Sequence, residues 1–336
     1  MSLKKWILTV VGLLAVTLMA AFFYLWQPSG KLSEFNQWKA KIDQPVSEQK
    51  LNVRFFGVST LLFDDGNSQI LIDGFFSRPS LMNIALQRLS SDQALLHNMI
   101  QDHELKRLKA ILVTHSHYDH ALDISVLGSS LPKTHIIGSL STLNIARGGK
   151  VPEHQLKLAV PFQALQLGAF RITPIPSQHT PPTAVNNDLG EEILHPLPQP
   201  ARFYEFKEGG SFDYLIEHNN HKILVKASTG ALPNQFQKLN VDVLFLGIAQ
   251  LSKQSPEFQQ QYLAETIDQL QPKEVIPIHW DNFLKPLSQP LEFLPRIADH
   301  SPKSLQLVID HAQHQGRKVT LLTEPYAYPI ISSTMP

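Results

Sequence analysis

His115-Ser116-His117-Tyr118-Asp119-His120 follows the apolar run Ala110-Ile111-Leu112-Val113, with only Thr114 between them. Three imidazoles and a carboxylate within this short run form a donor set that suits zinc and its neighbours. Ligands that alternate at 115, 117 and 119 converge only if the chain curls as it leaves a strand. The segment therefore predicts a buried strand, Lys109 to Thr114, that delivers a metal-binding loop. A solvated, His-rich turn is the plain alternative, and the two later histidines His179 and His279 weigh against it.

Composition bounds what surrounds this loop. The chain has 336 residues, 43% hydrophobic and 17% charged, enough for a globular protein with a sizeable core. Lys plus Arg and Asp plus Glu both number 29, so no net field draws in nucleic acid, and no nucleic-acid partner is expected. Cysteine is absent, which excludes disulfides and thiolate metal ligands.

Trp6 to Trp26 carries no charge, and Lys4 and Lys5 precede it. As a helix this run would be about 31 Å long, enough to cross a bilayer's hydrocarbon core. Trp6 at one end and Tyr24 with Trp26 at the other suit interfacial aromatic belts. A cleaved signal peptide would have a shorter apolar region closed by small residues. Here Phe22-Phe23-Tyr24-Leu25-Trp26 follows Ala20-Ala21, so an uncleaved single-pass anchor is expected. Lys4 and Lys5 favour the amino terminus inside, although Lys31, Lys39 and Lys41 oppose them, and a catalytic domain outside the cytoplasm is the expectation. The divisions that follow are an anchor at 1–30, a juxtamembrane linker at 31–50, a catalytic domain at 51–325 and a tail at 326–336. Within the linker, Phe35, Trp38 and Ile42 fall on one helical face, expected to lie either on the membrane surface or against the domain.

Inside the domain, Asn52 to Phe56, Val58 to Phe63 and Gln69 to Asp73 read as strands, the last two joined by the hairpin signal Asp64-Asp65-Gly66-Asn67. Further strands are expected at His135 to Gly138, Phe170 to Ile175, Phe212 to Glu217, Lys222 to Lys226, Val243 to Leu246, Glu274 to Ile278 and Lys318 to Leu322. Helices are expected at Leu81 to Leu89, Ala94 to Leu108, Ser141 to Ala146, Pro256 to Leu270 and Pro302 to His314. This order implies an α/β domain whose sheets are covered by helices. Pro181 to Gly210 reads as a long irregular insertion of the kind that carries substrate contacts, with Glu191, Glu192 and His195 as weak candidates.

The loop at 115–120, with His179 after Thr173-Pro174-Ile175-Pro176-Ser177-Gln178 and His279 after Val275-Ile276-Pro277-Ile278, resembles the signature of the metallo-β-lactamase superfamily. The resemblance covers roughly Leu51 to Leu322. Gly57-Val58-Ser59-Thr60-Leu61-Leu62 and Leu71-Ile72-Asp73-Gly74-Phe75-Phe76-Ser77-Arg78-Pro79 are similar to the opening of the branch that includes phospholipase D-type enzymes acting on N-acylphosphatidylethanolamine. The resemblance implies a four-layer αβ/βα sandwich, here preceded by one transmembrane helix. It implies one zinc on His115, His117 and His179 and a second on Asp119, His120 and His279, with Asp119 as the catalytic residue that fixes the nucleophile. It also implies that Asp73 braces the metal loop from behind.

The sequence departs from the family pattern at one turn. Many relatives carry an Asp that bridges both metals, whereas Lys226-Ala227-Ser228-Thr229-Gly230 puts Ser228 in its place. A hydroxyl is a weaker ligand than a carboxylate, so one or two zinc ions are expected, the second held less firmly. The reading is a membrane-anchored zinc hydrolase that uses metal-bound hydroxide on an ester or phosphodiester of a lipid or envelope component. Amide or lactone hydrolysis and a catalytically idle metal-binding protein are the alternatives. Tyr118 is expected either to face a developing oxyanion or simply to pack. Trp280, Asp281 and Phe283 are expected to line the pocket or to join the core.

Overall fold

The computed structural model describes residues 2–41, 51–183 and 187–330. Its layering follows from alternation along the strands. In β3 (Gln69–Ile72) and β4 (Leu108–Leu112), Ile70, Ile72, Ala110 and Leu112 face one apolar cluster, while Leu71 and Ile111 face another. Residues i and i+2 share a face of a sheet, so a strand apolar on both faces must be covered on both. The first cluster fills the space between two sheets and continues under the helices of one of them, and the second lies under the helices of the other.

The first sheet runs in the order β14-β1-β2-β3-β4-β5-β6, with β1 at Asn52–Phe55, β2 at Leu61–Asp64, β5 at His135–Gly138, β6 at Leu156–Leu158 and β14 at Tyr328–Pro329. The second runs β13-β12-β11-β10-β9-β8-β7, with β7 at Leu165–Leu167, β8 at Phe170–Ser177, β9 at Ser211–His218, β10 at His221–Lys226, β11 at Val243–Gly247, β12 at Glu274–Ile278 and β13 at Lys318–Val319. Phe63 meets Phe245 edge to face across the interior, their ring centroids 5.6 Å apart. Helices at Gln93–Asp102, Ile124–Ser130 and Leu140–Gly148 cover the first sheet, and those at Pro256–Leu263 and Ser301–His314 cover the second. Asp92, Ser139 and Ser255 cap three of these helices by accepting from backbone N–H groups, as their residue types favour. This is the expected four-layer α/β sandwich.

Several expected boundaries shift for local reasons. The strand expected from Val58 begins only at Leu61, because Gly57 and Val58 both adopt positive φ (84° and 51°) and form a turn. A Cβ at residue 57 would sit 1.8 Å from a terminal nitrogen of Arg78, so glycine is needed there. The helix expected to run to Leu108 stops at Asp102, and Leu108 opens β4. The hairpin forms as expected, with Asp64 opposite Gln69. The short strands β6, β7 and β14 carried too little periodicity to be read from sequence.

Tyr328 pairs with Val53, so the first sheet reaches into the segment expected to be a tail. In the expected linker, Leu32–Trp38 is a 3-10 helix whose Phe35 is buried against Phe293, ring centroids 5.7 Å apart. This stretch packs on the domain, and Ile42 lies outside the described residues. Leu3–Trp26 forms one helix, long and apolar enough to cross a membrane, with no buried residue. Its end is tied to the domain: Arg296 N donates to Gln27 O and Ile297 N to Leu25 O, both at 3.1 Å, and the Arg296 guanidinium lies 4.7 Å over the Tyr24 ring.

Candidate metal centre

The site forms where strands end. Val113, Thr114 and His115 follow β4, and a short helix Tyr118–Ala121 starts soon after with His117 as its N-cap. That switch leaves His115 and His117 on a loop and puts Asp119 and His120 on the first helical turn, so alternation in sequence becomes convergence in space. His179 stands just beyond β8, His279 just beyond β12 and Asp73 just beyond β3. Ser116 N donates to Glu208 O at 2.9 Å and Phe212 N to Thr114 O at 2.7 Å, which ties the loop to β9 and the insertion before it.

All six predicted ligand residues come together. His115, His117 and His179 form one group and Asp119, His120 and His279 another, the donor atoms of each lying within 4.8 Å of one another. The rings of His115 and His120, one from each group, are 3.8 Å apart between centroids. Asp119 Oδ2 lies 3.6 Å from His120 Nε2 and 3.7 Å from His279 Nε2.

Burial, with the neighbouring imidazoles, holds His115 well below its usual pKa, and burial pushes His120 and His179 down to about 3. Neutral imidazoles present lone pairs near neutral pH, as cation binding requires. Nε2 of His115 is buried without a hydrogen-bond partner among the described residues. An unpartnered buried ring nitrogen is costly unless something binds it. The donor set therefore fits divalent cations.

Asp73 is fully buried behind His120. Its Oδ2 lies 2.8 Å from His120 Nδ1 and accepts from the Ser59 hydroxyl and from Thr114 Oγ1 at 3.0 Å, while its Oδ1 accepts from Thr114 N at 2.7 Å. Burial pushes this carboxyl up to about 7, against those hydrogen bonds. The Lys226–Gly230 turn packs beside His179, with Thr229 N donating to Thr180 Oγ1 at 3.1 Å. Among the described residues, the only carboxylate in either donor group is Asp119.

Other expected residues separate. Tyr118 packs against Phe75 and Phe203 with centroids 6.1 and 6.5 Å away, the packing role. Trp280 and Asp281 are fully buried, and Phe283 alone of the three meets the site, its ring 6.0 Å from that of His279. Glu191 pairs with Lys207 at 2.6 Å, and Glu192 and His195 are exposed. Sequence reasoning missed Ser59, Thr114 and Asp188. Asp188 lies 3.1 Å from His117 Nε2, and no spacing signals an acidic residue from so long an insertion.

Fold and site together define a metal-dependent hydrolase. The beta-lactamase superfamily domain matches residues 68–280, and the chain belongs to that superfamily. It is 24% identical over 258 residues to a UPF0173 metal-dependent hydrolase of Pyrobaculum islandicum, covering 74% of this chain and 92% of that protein. Among solved structures it is similar to Igni18, a metallo hydrolase from Ignicoccus hospitalis, at TM-score 0.52 and 15% identity over 84% of this chain and 100% of that one. It is also similar to YhfI of Bacillus subtilis, a metallo-beta-lactamase fold protein, at TM-score 0.51 and 16% identity over 83% and 99% of the two chains. CmlA, a diiron beta-hydroxylase from Streptomyces venezuelae, matches at TM-score 0.53 and 14% identity, and this chain covers 85% of itself but 55% of that protein.

Proposed function

We propose that the chain is a membrane-anchored, zinc-dependent hydrolase of an ester or phosphodiester in a lipid or envelope component. The observation that carries this reading is the pair of three-residue donor groups, each within 4.8 Å. His115, His117 and His179 would hold one cation and Asp119, His120 and His279 the other. A divalent pair held there would polarise an oxygen of the carbonyl or phosphoryl group whose carbon or phosphorus is attacked, and would lower the pKa of water held beside it. Nitrogen and oxygen donors without thiolate suit zinc. CmlA is described as diiron, so metal analysis belongs with the first assay.

The chain's own groups supply the rest. Asp119, with one oxygen close to both His120 and His279, orients the attacking water and is placed to take its proton. Asp73 fixes the His120 ring through Nδ1, which leaves Nε2 facing Asp119. Phe283 gives the site an apolar wall. The lipid or envelope substrate is supported by the opening segments Gly57–Leu62 and Leu71–Pro79 and by the apolar helix Leu3–Trp26. The same helix supports a single-pass anchor, and Lys4 and Lys5 before it support placing the domain outside the cytoplasm.

The test is the purified full chain in detergent, loaded with zinc, assayed on bis-p-nitrophenyl phosphate, a p-nitrophenyl ester and a chromogenic β-lactam. Zinc-dependent turnover of the phosphodiester or the ester supports the reading. Turnover of the β-lactam alone would transfer it to amide hydrolysis, and no zinc-dependent turnover of any of them would overturn the catalytic role.

A further inference from the structure

The insertion between β8 and β9 reaches the donor cluster through Asp188. Its two carboxylate oxygens lie 3.1 and 3.3 Å from Nε2 of His117. Both side chains are largely shielded, 12% and 16% exposed, so water competes weakly for the contact. The far end of the insertion holds Asp188 in place. Glu208 N donates to Asp188 Oδ2 at 3.2 Å, and the Glu208 carboxylate accepts from Gly190 N and Gly210 N at 3.2 and 3.0 Å and from the Ser211 hydroxyl at 2.5 Å. Gly209, between these anchors, has φ 69°, and a Cβ there would lie 2.4 Å from Ser141 Cβ. Glu208 O also accepts from Ser116 N at 2.9 Å, so one clasp grips both Asp188 and the loop that bears His117.

A neutral imidazole carries one N–H, and an ionised carboxylate can only accept. Against an ionised Asp188, a neutral His117 would place its proton on Nε2 and keep Nδ1 as the lone-pair nitrogen. A carboxylate on the far nitrogen also makes the free nitrogen a stronger donor. We propose that Asp188 is a positioning residue of the metal centre: it sets the tautomer and ring angle of His117, which makes the insertion a clamp on the site formed by His115, His117 and His179. The inference rests on the reading of those three residues as ligands.

Competition titration of the full chain with zinc tests it. In Asp188→Ala one site is expected to weaken by about 10–100-fold, the range found when a partner of a ligating histidine is removed. The other site should keep its affinity, and Asp188→Glu should recover most of the loss. Histidine ¹⁵N spectra of the metal-free protein supply a reading that mere structural damage would not mimic. His117 is expected to be protonated at Nε2 in the wild type and to become a tautomer mixture in Asp188→Ala. Unchanged affinity at both sites in a folded Asp188→Ala protein would overturn the proposal, as would an unchanged His117 tautomer. Should Asp188→Ala fail to fold, Asp188→Asn takes its place with the same expected direction. A wild-type chain that binds no zinc would overturn the ligand reading itself, and this inference with it.

Discussion

His279 donates its backbone N–H to the carbonyl of Val58 at 2.6 Å, and both residues hold positive φ, 58° and 51°. Such angles are strained for a β-branched residue and persist only where the surroundings fix them. Here the fixing comes from a buried ion pair. Asp281 Oδ1 accepts from Val58 N at 2.6 Å, and its Oδ2 accepts from Arg78 at 2.9 Å, while the same Arg78 nitrogen reaches Phe56 O at 2.6 Å. A candidate ligand is thus seated by a turn near the start of the domain.

Removing one member of this pair strands the other in a dry interior, since the side chains are 1% and 0% exposed. Asp281→Ala is expected to cost about 3–5 kcal/mol, the usual penalty for orphaning a buried charge. Arg78→Met combined with Asp281→Leu should cost less than Asp281→Ala alone. Denaturant unfolding checks both, and a double variant weaker than either single one would contradict the account.

His117→Ala is expected to abolish turnover and remove the metal shared with His115 and His179, whereas His279→Ala should empty the other site first. Metal content per chain, measured on purified variants, distinguishes them. Unchanged zinc in His117→Ala would show that the ligand assignment is wrong.

Ser228 is nearly buried on the turn beside Thr180. Ser228→Asp places a carboxylate where the family resemblance implies a bridging one, so the occupancy of the second metal should hold or rise. Lower zinc content in a variant of unchanged melting temperature would contradict this.

Asp65 links the first hairpin to the second sheet through His218 Nε2, 3.0 Å away. Burial alone would raise its carboxyl, but hydrogen bonds from Ser68 N and Asn67 N and the His218 side chain outweigh burial and leave it below 3.8. A carboxyl depressed in the folded state stabilises the fold above its unfolded pKa, and that contribution fades as pH falls through the folded value. Asp65→Asn is therefore expected to lower the urea midpoint at pH 7, with the gap to wild type closing as pH drops below 3.8. A gap independent of pH would show that the charge is not responsible.

The metal loop was legible because its donors are adjacent in sequence and follow an apolar strand. His179 and His279 were legible because each ends a strand and the family pattern asks for them. Asp188 was not, since its approach depends on a clasp at Glu208 within a stretch that has no periodicity. Nor was the turn at Gly57 and Val58: an apolar run with one glycine reads as strand until Arg78 and Asp281 are seen to hold it. The covering of Phe35 by Phe293 likewise lies between segments far apart in the chain, and local amphipathicity left open what it would pack against.

The grip of Arg296 and Ile297 on the end of the first helix has a mechanical result. If Leu3–Trp26 crosses a bilayer, the globular part has no stalk on which to swing. It would ride close against the lipid headgroups, its reach limited to molecules that come within a few residues' length of that surface.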